Sequence, residues 1–124
     1  MFLPSPSLTI SKQFMKDDLL YLERILGAIK KIQEYTKNQT QQAFFLDEMR
    51  QSAIMMQLIL IGEMAKKVSV ETRAVIDIPW KQITGFRDRG IHDYFDMDLG
   101  IVWVTATEDI FIVEKAIREF WEKR

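Results

Sequence analysis

A chain of 124 residues with 48% apolar and 28% charged side chains has the proportions of one soluble globular domain. The absence of cysteine excludes disulfides, thiolate catalysis and cysteine-ligated metals and leaves the cytoplasm as the default location. No apolar run approaches the roughly 20 residues of a membrane span, and residues 1–14 lack the basic segment and apolar core of a signal peptide, so no membrane association is expected.

The net charge of −1 hides an uneven distribution, because residues 50–92 carry seven basic and four acidic side chains whereas residues 93–124 carry four and eight. A basic middle can attract phosphate even when the whole chain is close to neutral. Lysines and arginines scattered over solvated helix faces would give the same count.

In chain order, MFLPSPSLTISKQF has two prolines, three serines and no helical period, so residues 1–15 are expected to form a mobile arm. Met15 stands directly before the first strong helical pattern and is a candidate natural start. A helix is expected from about Lys16 to Lys37, with Asp17 and Asp18 at its positive end. Leu19, Leu22, Leu26, Ile29 and Ile32 repeat at three and four residues and give it one core-facing stripe. TKNQTQQ reads as a loop, and Ala43 to Phe45 as a short helical lead-in.

The second long helix, about Leu46 to Val68, is apolar almost all round, as in a helix buried on more than one side. It is either the centre of a bundle or part of a dimer interface. Gly62 within it points to a close helix approach, since glycine there costs about 1 kcal/mol relative to alanine. Ser69 can cap a short helix from Val70 to Ile76, and Pro79 starts the next one. From Asp98 to Arg124 the β-branched residues pull toward strand, but length, the Glu114–Arg118 and Glu119–Lys123 pairs and the lack of turn signals decide for helix. The fold class is therefore all-α: an up-down bundle of four main helices plus short helical pieces over residues 16–124. At this size a second copy sharing a helix face would add stability, and a two-fold homodimer is expected.

The only histidine lies in PWKQITGFRDRGIHDYFDMD, close to Arg87 and Tyr94. On one continuous helix Asp88 and His92 share a face, whereas Arg87 and His92 lie about 140° apart at 100° per residue. Either Gly90 loosens the turn between them, or two chains face each other across a two-fold axis and bring together two arginines and two histidines. The second arrangement suits RNA cleavage without metal. One imidazole would take the ribose 2′-hydroxyl proton, the other would protonate the leaving oxygen, and arginine would hold the phosphate. Asp88 is placed to orient His92, and Arg89 is a candidate substrate contact. An arginine followed five residues later by a histidine is common by chance, and Trp80 and Tyr94 fit a core as well as a stacking platform. Asp93, Asp96 and Asp98 read as a capping and solvated cluster, and neither a metal site nor a cofactor is expected.

RQSAIMMQLILIGEMAKKVS followed by IPWKQITGFRDRGIHDYFDMDLGIVW resembles the HepT-like toxins of the HEPN superfamily, helical ribonucleases carrying an arginine, four residues, a histidine, one residue and a tyrosine. Here these are Arg87, His92 and Tyr94, and the order Gly62-Glu63, Pro79-Trp80, Gly85 and the motif extends the likeness from about Lys16 to the C-terminus. Gly90 departs from the family pattern, which is bulkier there, so a less rigid helix is expected at that point. The resemblance implies a homodimer with motif residues in a cleft between protomers, metal-independent RNA endonuclease activity, and a nucleotidyltransferase-type antitoxin that adenylylates Tyr94. The alternative is a non-enzymatic helical adaptor that docks such a transferase and uses Arg87 to grip phosphate. A purely structural dimerisation domain is a third reading.

Overall fold

Leu22, Ile25, Ile29 and Ile32 recur at three- and four-residue intervals, and in the computed structural model, which describes residues 12–124, all four are fully buried on one face of α1, Lys12–Thr36. The arm expected over residues 1–15 lies outside the described residues as far as residue 11, and from Lys12 onward the chain is already helical. This earlier start moves Asp18 off the helix end. It is a buried carboxylate that accepts from Ser69 N at 2.9 Å, Ser69 Oγ at 2.6 Å and Thr72 Oγ1. One buried charge thus ties α1 to the start of α4, Val70–Val75, where Ser69 also caps Thr72 N.

At the other end of α1, Asn38 takes the left-handed conformation that asparagine tolerates, with φ 59°. Arg50 then donates from Nη1 to the Tyr35 carbonyl at 2.6 Å, satisfying an orphan acceptor of the last turn. The lead-in is a separate helix, α2, Gln41–Phe45, with Thr40 as its cap and Phe44 fully buried. Asp47 caps α3, Glu48–Lys67, by accepting from Arg50 N at 2.9 Å, so the second long helix begins two residues later than its apolar pattern suggests.

α3 lies between α1 and α5, Trp80–His92. Trp80 Nε1 donates to the Arg73 and Ile76 carbonyls at 3.1 and 3.0 Å, which gives the ring a structural task at the end of α4. A single 3-10 turn, Tyr94–Asp96, follows α5. Asp98 accepts from Gly100 N and Ile101 N and starts α6, Leu99–Val104. The expected final helix is helical throughout but not uniform. A π turn at Thr105–Asp109 separates α6 from α7, Ile110–Lys123. Thr105 Oγ1 and Thr107 Oγ1 donate to the carbonyls four residues back at 2.8 and 2.7 Å, the side-chain competition that loosens a helical ladder. α7 and the π turn pack on α1, and α2 packs on α6, where Phe44 meets Trp103 with ring centroids 5.2 Å apart.

The fold is all-helical, with no strand among the described residues and four long helical stretches in α1, α3, α5 and α6–α7. Among the described residues no helix is long and apolar enough to cross a membrane. The near-uniform apolarity of α3 divides into distinct contacts. Ile54, Met55, Leu58, Ile61 and Ala65 are buried, Gly62 faces α5, and Met49, Met56 and Leu60 form a third, exposed stripe.

Candidate functional site

Two glycines let α5 approach α3. A Cβ at Gly62 would stand 2.3 Å from Arg87 Cβ and 2.9 Å from the Ile83 carbonyl oxygen, and one at Gly90 would stand 2.7 Å from Ile59 Cγ1. Both substitutions would push the helices apart. The close approach expected at Gly62 is present, whereas the loosening expected at Gly90 is not: the residue is buried against Ile59 and the helix runs unbroken to His92.

The approach sets Arg87 against α3. Its Nε donates to Glu63 Oε2 at 2.8 Å and its Nη1 to Asp88 Oδ1 at 3.0 Å, while Lys66 Nζ donates to the same Asp88 oxygen. Lys66, followed by Arg87, holds the Asp88 carboxyl below its ordinary range. Asp88, with Glu63, raises Arg87 further above an already high value, so the guanidinium is permanently cationic. Nη2 has no hydrogen-bond partner among the described residues and remains for an anion.

Asp88 makes no hydrogen bond to His92 within the chain; Lys66 and Arg87 both donate to its Oδ1. His92, the last residue of α5, is exposed and makes no side-chain hydrogen bond to any described residue. Arg87 and His92 stay about 140° apart around an unbroken helix, so one chain does not aim both at a single atom.

Arg89, the candidate substrate contact, points away from Arg87 and lies three residues before His92 on the same helix. Two residues beyond Arg87, it lies about 200° round the helix, with its guanidinium 6.0 Å from the Phe86 ring. It borders a groove of about 440 Å³ between α5 and the last helix, remote from the Arg87 cluster in direction. Tyr94 is half-buried, donates from its hydroxyl to Ser52 Oγ at 3.0 Å and meets the fully exposed Phe95 ring edge-on at 5.5 Å. Glu63 stands in the sequence pattern without a role, and Lys66 and Ser52 are not singled out there. A signal for the first two existed, since Glu63 adjoins Gly62 and Lys66 follows it by three residues on the same helix face.

This arrangement offers a clamped guanidinium, an open imidazole and a tethered phenol on and just beyond one helix. The family model described as "Ribonuclease HepT-like" matches residues 25–122, a span that contains all of them. The chain is 37% identical to a protein of Methanocaldococcus jannaschii named "Gamma-glutamylcyclotransferase and putative RNase", over 87% of this chain and 49% of that one. It is 36% identical to the "Probable ribonuclease HepT" of Thermococcus cleftensis, over 73% and 83% of the two chains. With the "Putative RNase" of Caldanaerobacter subterraneus subsp. tengcongensis the identity is 34%, over 88% and 98%. The chain thus spans about half the length of the first relative and most of the other two. No solved structure matches it. The helical fold, the motif on α5 and these matches together make the chain a member of the HepT-like ribonuclease family of the HEPN superfamily.

Proposed function

We propose that this chain is a metal-independent RNA endonuclease, the toxin of a cytoplasmic toxin-antitoxin pair, and that it acts as a two-fold homodimer. One observation carries the proposal: α5 presents an arginine fixed by two carboxylates and, at its end, a histidine left open. RNA supplies its own nucleophile, so imidazole and guanidinium chemistry suffices. One His92 takes the ribose 2′-hydroxyl proton, the 2′-oxygen bonds to phosphorus, and the bond to the 5′-oxygen breaks as a second, protonated His92 gives that oxygen its proton. The products are a 2′,3′-cyclic phosphate and a 5′-hydroxyl. Imidazole is able to act as base or as acid, and Arg87 balances the charge that grows on phosphorus.

The chain holds one histidine, so the second comes from a second copy. The exposed Met49, Met56 and Leu60 on α3 and Ile91 on α5 are an apolar strip beside Arg87 that suits such a contact. Tyr94 is the proposed site of adenylylation by a nucleotidyltransferase-type antitoxin. A phosphodiester-linked AMP there adds bulk and negative charge near the place of the substrate phosphate.

The test is purified protein against total RNA in EDTA. Wild type should cleave, and Arg87→Ala and His92→Ala should each abolish cleavage without loss of fold; cleavage surviving either change refutes the assignment. The second reading is a non-enzymatic adaptor for the transferase, in which the clamped Arg87 only grips phosphate. No cleavage together with tight transferase binding would select it.

A further inference from the structure

Two cations from different helices meet on one carboxylate oxygen. Lys66 Nζ of α3 and Arg87 Nη1 of α5 both donate to Asp88 Oδ1, and the two side chains keep 37% and 24% of their surface exposed. Glu63 is the other acid of the cluster, and it engages Arg87 through Nε, the inner edge of the guanidinium. The four formal charges cancel, yet the donors are not used up. Arg87 retains Nη2, and an ammonium with three protons spends one on Asp88.

We propose that Lys66 is a second phosphate contact, which Asp88 holds beside Arg87 so that the two bracket one non-bridging oxygen pair of a nucleic-acid phosphodiester. This rests on the ribonuclease reading for the identity of the ligand. The division of labour follows from the two groups: Arg87 gives planar, directed donors, and Lys66 gives a compact point charge on a flexible stem. Asp88 is then a positioning residue for both cations. Lys67, the next residue, lies elsewhere, with Nζ 5.9 Å from the centroid of the Tyr21 ring, and provides an internal control.

The experiment measures binding of a labelled single-stranded RNA to the full-length chain in EDTA. A His92→Ala background keeps the RNA intact, and salt concentration is varied. Lys66→Met should weaken binding several-fold and lower the slope of log K against log salt by about 0.7 for each Lys66 engaged, the single-strand value per phosphate. Lys66→Arg should restore the slope, and Lys67→Met should leave it unchanged. Melting of each variant excludes unfolding as the cause. An unchanged slope in folded Lys66→Met overturns the proposal even where RNA cleavage by the parent chain is intact. A lowered slope in a chain that cuts no RNA keeps the phosphate contact and removes the nuclease.

Discussion

Gly62→Ala should destabilise the protein although alanine is the better helix former. The added Cβ would begin 2.3 Å from Arg87 Cβ and 2.9 Å from the Ile83 carbonyl oxygen, and neither is the free end of a flexible side chain, so α5 must move by about 1 Å. Overpacking of this kind costs about 1–3 kcal/mol, against a propensity gain of up to about 1 kcal/mol. With the full propensity gain the net loss is up to about 2 kcal/mol, a fall of up to several degrees in Tm. Gly85→Ala is the matched control: its Cβ meets nothing within 4 Å, and it should stabilise by up to about 1 kcal/mol. Urea and thermal unfolding of both variants measure the difference. Because the displaced atom belongs to Arg87, RNA cleavage by Gly62→Ala should also fall by about 100-fold, the scale of a 1 Å misplacement at a reacting centre. A Gly62→Ala variant as stable as Gly85→Ala would refute the close packing of α3 on α5.

Asp18→Ala should cost about 3 kcal/mol in urea unfolding, because it strands three buried or part-buried donors on Ser69 and Thr72; a loss below 1 kcal/mol would contradict the anchoring of α1 to α4. Asp88 is held below its ordinary range by Lys66 and then Arg87, so its pairing stabilises the fold above about pH 4, the unfolded value. That contribution disappears as pH falls through the folded value, and Asp88→Asn should accordingly show a flatter loss of stability below about pH 4 than wild type. Tyr94→Phe should remain folded, since it loses only the bond to Ser52, and should escape AMP addition on co-expression with the transferase; intact mass showing AMP on this variant would move the modified residue elsewhere.

The helical class, part of the apolar stripe of α1 and the glycine contact at Gly62 were legible because each is a local pattern with one physical solution; of the stripe, Leu22, Ile29 and Ile32 are buried, whereas Leu19 and Leu26 are only partly so and Ile25 takes the remaining core place. Periodicity chooses a face, and a glycine in a helix needs a neighbour to justify it. The start of α1 was not legible, since residues 12–15 lack a periodic stripe and gain helix by continuing the turn that follows. The π turn depends on threonine hydroxyls competing for carbonyls, which spacing does not announce. In the site, Arg87 and His92 were placed on the correct helix, but Tyr94 falls in the 3-10 turn beyond its end, and the partners of all three were not foreseen. Asp88 and His92 share a face, yet Lys66 and Arg87 offer Asp88 charge at close range, and contacts across 22 residues of sequence are invisible to a helical wheel.

The most direct test of the account is a dimer with one intact and one His92→Ala subunit, isolated by two-step purification of differently tagged full-length chains and assayed for RNA cleavage in EDTA. If both imidazoles serve one site, the mixed dimer loses general acid or general base and its activity falls at least about 100-fold. Retention of about half the wild-type activity would mean that each subunit cuts alone, and would contradict it.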